Sequence, residues 1–301
     1  MILIEQLMQK YGVKFEDIQL LRDWIGQVYI VKEEDKKYIL KVFRKQYTNN
    51  ALQSAAVMHY LKSSGFPVPI IVATVNSDLF FLTDDGRIAI LYEYVEGGEP
   101  KRKHSLEELG HLSGQMRCIM EKYKGELDHK GREFYIDRYL SILNKKHYKE
   151  TDHFSEIGTK LWNRVKDNKL EFCHGDFHIG NMIHNNTGII IYDFDACGIA
   201  HPLYDIATVC DGTDYFDLSN RNFEMGISRT KKNVEMFLKG YNKYYSVNDA
   251  ELRNIFDYIA IRHFDIQATI IECQGLDCVD ESFLNNQYSW LTKWEDACTK
   301  V

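Results

Sequence analysis

Apolar positions change their spacing partway along the chain, and that change divides it. Residues 1–12, MILIEQLMQKYG, place apolar side chains at helical spacing around Glu5 and Gln6, and Gly12 ends the run. The pattern predicts an amphipathic helix rather than a signal peptide. Short apolar-rich runs follow at 18–24 and 27–31, flanking Gly26. After the charged turn EEDKK comes YILKVF at 38–43, which places Lys41 among strand formers. A helix is expected from a cap at Asn49 or Asn50 through Leu61, closed by Gly65, with Pro67 and Pro69 preventing its resumption. Residues 79–83 and 87–95 around Asp84-Asp85-Gly86 read as a second hairpin.

The breaker EGGEP at 96–100 marks the boundary, and beyond it the period becomes helical. Ser105 and Glu108 fit a capping box for a helix from 106 to about 123. Helices are also expected over 133–147 and 154–167 and after Pro202, with loops near 212–224 and 275–281. Residues 170–195 are strand-like. The reading is an α+β chain: an antiparallel-sheet lobe with one main helix over 1–95, then a mostly helical lobe over 96–301.

Composition narrows the function. With 301 residues and 45% hydrophobic content, a substantial core can be buried. A net charge of -7, from 37 Lys+Arg against 44 Asp+Glu, lacks the footprint of a general nucleic-acid binder but permits a local basic site for phosphates. The 7 cysteines are odd in number and form no CxxC pair, which argues for reduced thiols in a cytoplasmic protein. No apolar run has transmembrane length, so no membrane partner is expected.

The chemistry concentrates in residues 172–207, FCHGDFHIGNMIHNNTGIIIYDFDACGIAHPLYDIA. Asp176 lies in a turn after an apolar run, Asn181 follows five positions later, and Asp193 ends the next strand-like run. Phosphoryl transfer needs a group that orients the proton of the nucleophile and oxygen ligands for Mg²⁺ on the nucleotide. A hairpin between 182 and 192 would fold Asp193 back beside Asn181.

HGDFHIGN resembles the catalytic-loop motif of the aminoglycoside phosphotransferase and choline kinase superfamily. IYDFD resembles its metal-binding segment, and HPLYDIA the acid-bearing segment that buttresses the loop. The resemblance implies a bilobal, protein-kinase-like fold and an ATP- and Mg²⁺-dependent phosphotransferase. Its acceptor would be a small hydroxyl compound of the aminoglycoside, choline or ethanolamine, or homoserine type. It further implies that Asp176 is catalytic, Asn181 and Asp193 hold metal, His174 anchors the loop and Asp205 supports it, with Asp195 at a variable acidic position. In the first lobe it assigns Lys41 to the phosphates, Gly26 to the turn covering them, and the backbone of Glu93 and Val95 to the purine, with Tyr92 as gatekeeper. The family's usual acid on the first helix, which pairs with the strand lysine, is replaced by Gln53 or Ser54.

Three other readings compete: a protein Ser/Thr kinase of the same fold, a metal-dependent hydrolase built on His174, Asp176, His178 and His184, and a catalytically silent ATP-binding module. Residues 265–292 carry Asp265, Glu272, Asp277, Asp280 and Glu281 without Lys or Arg, and Asp211, Asp214 and Asp217 lie nearby in sequence. These acids predict an amine-bearing acceptor. The aromatic residues Tyr288, Trp290 and Trp294 fit core packing better than a pocket wall.

Overall fold

In the computed structural model, residues 2–216, 218 and 223–298 are described. They form two compact units. One comprises Met1–Pro100, Lys122–Leu127 and Ile179–Cys197; the other comprises Lys101–Glu121, Asp128–His178 and Gly198–Val301.

The first unit opens with α1 (Ile2–Tyr11) and is built on a five-stranded antiparallel sheet. Its strands are β1 (Asp17–Asp23), β2 (Gly26–Glu33), β3 (Lys36–Phe43), β4 (Phe81–Leu82) and β5 (Ile88–Glu93), in the spatial order β1-β2-β3-β5-β4. Leu7 and Tyr11 of α1 form a core with Leu40, Val42, Ala89 and Leu91. Strand alternation therefore turns Lys41, paired with Ile90, to the opposite face. Gly26 is needed where β2 crosses β3, because a Cβ there would stand 2.8 Å from the Val42 carbonyl oxygen.

After β3 comes α2 (Thr48–Ser63), with Ala51, Ala55, Val57, Met58 and Leu61 buried. The hairpin of β7 (Met182–Asn185) and β8 (Gly188–Ile191) completes this unit. Backbone bonds hold it there: Ile191 N–H donates to Pro67 at 2.9 Å, and His184 exchanges bonds with Gly98 at 2.7 and 3.2 Å. These contacts explain why a segment so late in sequence packs with the first hundred residues.

The second unit is mostly helical. It contains α3 (Arg102–Met120), α4 (Arg138–Lys145), α5 (Thr151–Val165), α6 (Leu203–Cys210), α7 (Phe223–Tyr241), α8 (Asp249–Gln274) and α9 (Glu281–Cys298). The short strands β6 (Glu171–Cys173) and β9 (Gly198–Ala200) pair antiparallel, and β9 was not anticipated from the sequence. Two glycines let α3 and α7 touch backbone to backbone: a Cβ on Gly110 would overlap the Phe237 carbonyl, and one on Gly240 the Glu107 carbonyl. The expected capping box of Ser105 and Glu108 is not formed. The helix starts a turn earlier, after Lys101, and Ser105 is buried within it. A capping box does exist at α8, where Asn248 accepts from Ala250 and Glu251 N–H and Glu251 accepts from Asn248 N–H.

Trp290 and Trp294 are core residues, stacked 4.9 Å apart, and the Trp294 indole donates to the Phe256 carbonyl at 2.8 Å. Among the described residues no helix is long and apolar enough to cross a membrane. No disulfide joins Cys118, Cys173, Cys197, Cys210, Cys273 or Cys278.

Candidate active site

Lys41 is the centre of the constellation in the first unit. Its ammonium lies 2.8 Å from Asp193 Oδ1 and 2.5 Å from Asp195 Oδ2, and its side chain is 11% exposed. Burial alone would strip the proton from this amine, but the two carboxylates outweigh that and hold it charged. Asp195 shows the opposite balance. Burial and the neighbouring Asp193 raise its carboxyl, Lys41 and Ser54 lower it, and the result is about 6. Arg22, at the end of β1, approaches Asp193 Oδ2 at 3.8 Å from an exposed position.

The acids reach Lys41 because of the β7–β8 hairpin. Met182 pairs with Ile191, so the chain entering β7 and the chain leaving β8 lie side by side. Tyr192 fastens that end twice, its N–H donating to Asn181 O at 3.0 Å and its hydroxyl to Gly180 O at 2.6 Å. Asn181 is thereby buried at the mouth of the hairpin, its carbonyl part of the fastening that immediately precedes Asp193. Asp193 adopts the left-handed conformation, φ 65°, which Asp tolerates better than most residues. Phe194, fully buried, begins the tight turn Phe194–Ala196 that carries Asp195. Polar residues of α2 grip this turn: Asn50 Nδ2 donates to the Asp195 carbonyl at 3.1 Å and Gln53 Nε2 to the Cys197 carbonyl at 2.8 Å.

Tyr92 is buried beside Lys41. Next along β5, Tyr38 and Glu93 face each other with Tyr94 N–H bonded to Lys37 O at 3.3 Å. That register directs the N–H and C=O of Glu93 away from β3. The N–H is taken by Ile70 O at 2.9 Å, so the group Glu93 can offer a purine is its carbonyl.

Asp176 belongs to the second unit, where Asp205 of α6 builds its loop. Asp205 is buried and accepts His174 N–H at 2.7 Å and Gly175 N–H at 2.9 Å. Gly175 takes φ 82°, a left-handed turn that glycine adopts without cost. His174 is fully buried, and its Nδ1 accepts Asp176 N–H at 3.3 Å, an anchoring contact. The Asp176 side chain remains 41% exposed, within 3.2 Å of His178 Nε2 and 3.5 Å of an Arg262 guanidinium nitrogen. Partial burial pushes its carboxyl up, but His178, Arg262 and His174 outweigh this and hold it well below the usual carboxylate range. It is a held, ionised carboxylate.

Arg262 escaped the sequence reading. It stands in the apolar run IAIRHFD of α8, and a lone charge in such a run is the signal that could have found it. Its surroundings are Tyr204, Asp176, Asp211 and Asp265, which keep it charged despite burial.

The acids expected to meet an amine divide. Arg138 of α4 takes Asp265 at 2.6 Å and Glu272 at 2.9 Å, so the stretch without cations is neutralised from another helix. Asp277, Asp280 and Glu281 are exposed and lie beyond Gln274, roughly 18 Å of helix past Arg262. Asp280 caps α9 through Phe283 N–H at 2.7 Å, and Glu281 pairs with Lys149 at 3.6 Å. These three therefore do not stand beside Asp176. Asp214 binds its own loop through Phe216 N–H, and Asp217 lies outside the described residues.

The hydrolase reading finds no support in geometry. Among the described residues no three His, Cys, Asp or Glu side chains converge to hold a metal ion. His174 is an anchor, His178 pairs with Asp176, and His184 serves the β7 ladder.

Comparison with known proteins bears on the family and the fold. A family model described as a phosphotransferase enzyme family matches residues 17–253. Amicoumacin kinase of Bacillus subtilis (strain 168) is 21% identical over 290 residues, spanning 90% of this chain and 85% of that protein. Among solved structures, an amicoumacin kinase in complex with AMP-PNP, Ca²⁺ and Ami is similar with a TM-score of 0.76. The match covers 98% of this chain and 92% of that one at 20% identity. A microcompartment-associated aminopropanol kinase gives 0.74 over 97% of this chain and 94% of that one at 16% identity. The structural likenesses establish a kinase-like α+β fold, and the family model spans most of the chain: this protein is a phosphotransferase, a member of the phosphotransferase enzyme family.

Proposed function

We propose that the enzyme moves the γ-phosphoryl group of ATP to a hydroxyl of a small, amine-bearing acceptor, with Asp176 as its catalytic acid–base group. One observation carries this reading: a carboxylate held ionised and anchored through His174, Gly175 and Asp205, yet partly open to solvent. Asp176 accepts the proton of the attacking hydroxyl, or orients it, while its loop stays fixed. Lys41 binds phosphate oxygens. The Glu93 carbonyl and the Val95 N–H read the purine edge, and Gly26 lets the first hairpin close on the β3 backbone.

Asn181 and Asp193 fit a hard cation. Both offer oxygen, the hairpin brings their backbones together, and the Asp193 carboxylate already draws Lys41 and Arg22. Bound there, Mg²⁺ would neutralise phosphate charge. In this reading the first unit serves the nucleotide and the second the acceptor.

The amine preference rests on charge. Asp176, Asp211 and Asp265 gather around the guanidinium of Arg262, with Arg138 and Lys130 also acting on Asp265. The relatives named for aminopropanol and amicoumacin support a small acceptor over a protein one. A coupled assay of ATP consumption across amino alcohols, amino sugars, amicoumacin-type antibiotics, neutral sugars and hydroxy acids tests it, with Asp176→Ala in parallel. Turnover confined to amine-bearing hydroxyl compounds and lost in the variant is expected. A best acceptor that is anionic would overturn the amine preference.

A further inference from the structure

Helix α2, TNNALQSAAVMHYLKS, contains no acid, yet Lys41 is firmly held. We propose that Asp195 is a positioning residue, fixing Lys41 for the nucleotide phosphates in place of a helix carboxylate. The inference rests on the nucleotide reading of Lys41 given above.

Geometry supports it in three ways. First, the Lys41–Asp195 contact is the shorter of the two lysine contacts, 2.5 Å against 2.8 Å to Asp193, with both side chains at 13% exposure or less. Second, the demands on the two acids differ. Asp193 already shares its oxygens between Lys41 and Arg22, and it is the acid proposed to take a cation. Asp195 then remains as the partner of the lysine. Third, α2 treats the turn carrying Asp195 as something to be immobilised. Asn50 and Gln53 spend neutral amides on the carbonyls of Asp195 and Cys197, and buried Phe194 pins the turn from inside. The helix thus holds the acid rather than supplying one. An additional carboxylate on α2 would leave three buried anions around one ammonium, an arrangement with uncompensated charge.

The rival role for Asp195 is that of a second metal ligand, and nucleotide binding separates the two. Calorimetric titration of ATP would compare wild type, Lys41→Met, Asp195→Asn, Asp195→Ser and the Lys41→Met/Asp195→Asn double variant, each with Mg²⁺ and with EDTA. Asp195→Asn preserves shape and leaves Lys41 paired with Asp193. The serine variant repeats the test should the asparagine one fail to fold, as judged by its unliganded melting temperature. A positioning role predicts that ATP binds about tenfold more weakly in either Asp195 variant, as for a lost charged hydrogen bond, with and without metal. It also predicts that the double variant binds within about twofold of Lys41→Met, because Asp195 acts through the lysine. Weakening seen only with Mg²⁺ would assign Asp195 to the metal and overturn the proposal, as would additive effects. Normal ATP binding by Lys41→Met would remove the nucleotide reading itself. Weak binding by Lys41→Met with normal binding by both Asp195 variants would sink this inference alone.

Discussion

Lys41 and Arg262 are both cations drawn out of water beside acids, and they are held by opposite logic. Lys41 sits on a rigid strand, and its partners Asp193 and Asp195 arrive from a hairpin about 150 residues later in sequence. Arg262 sits mid-way along the 26-residue helix α8, and it meets Asp176 on a loop that a different acid, Asp205, has already fixed. In the proposed reading, the acids of the first region place the cation, and in the second region the cation tunes the acid. Two buried cations beside acids can therefore serve different ends, and the difference shows in which member is anchored by backbone hydrogen bonds.

The strongest way to break this comparison is at Asp176. Asp176→Ala should lower kcat by about 10²–10⁴-fold, the range for a positioned acid–base group, while the Kd for ATP stays near wild type. A variant that keeps its turnover would remove Asp176 from the chemistry and leave Arg262 with nothing to tune. Lys41→Ala should act differently, raising the KM for ATP by about tenfold or more through loss of a charged contact to phosphate. An unchanged ATP dependence would mean that Asp193 and Asp195 hold the lysine for structure alone.

Much of the first region was legible because its residues lie in compact motifs. YILKVF set Lys41 in a strand, and the spacing from Asn181 to Asp193 fits a hairpin of four-residue arms that returns one end to the other. The alternation of β3 and the turn residues around the hairpin are local physics, and the sequence states them directly. Partners were less legible. Nothing in α2 announces that Asn50 and Gln53 would grip a turn 145 and 144 residues away. The helical unit was harder still, because helix packing decides which charges meet. The stretch from Asp265 to Thr292 has no basic residue, yet Arg138 neutralises it from α4, and Arg262 lies just three positions before it. Ser105 and Glu108 had the composition of a capping box, but α3 began a turn earlier and burial claimed the serine.

Arg262→Gln sharpens the contrast at the second cation. The Asp176 carboxyl is held low by His178, Arg262 and His174 against burial. In the proposed mechanism an ionised Asp176 is the active form, so at saturating ATP its own contribution to the acid limb should lie well below the ordinary carboxylate range. Removing the guanidinium raises the carboxyl toward its ordinary range, and the acid limb of kcat/KM should move up by about one pH unit. ATP binding should be untouched. An acid limb that stays in place would show that His178 alone sets the ionisation and that Arg262 is only part of the α8 packing.

The smallest effect is expected at the residue next to that arginine. His263 is fully buried, its ring 4.1 Å from Trp290 and 4.7 Å from Tyr215. Its neighbours are the aromatic rings, the Gln287 amide bound to its own carbonyl, and Arg262, and none supplies a negative charge to the imidazole. Burial first, and then the positive Arg262, push it down from 6.5 to about 3. Arg262 keeps its charge because three carboxylates face it, whereas His263, one residue along the same helix, cannot gain one. The unfolded chain therefore binds a proton that the native state refuses between these values. Stability from this site is complete above the unfolded value and is lost as pH falls toward about 3, with a slope approaching 1.4 kcal/mol per pH unit. Between pH 6.5 and 5.5 the loss should be about 1 kcal/mol. Urea unfolding of wild type and His263→Phe at those two pH values measures it. The phenylalanine variant keeps the ring stack and should lose about 1 kcal/mol less than wild type over the interval. Equal losses in both proteins would show that His263 can take up a proton in the native state, and the contrast between the two neighbours on α8 would then fail.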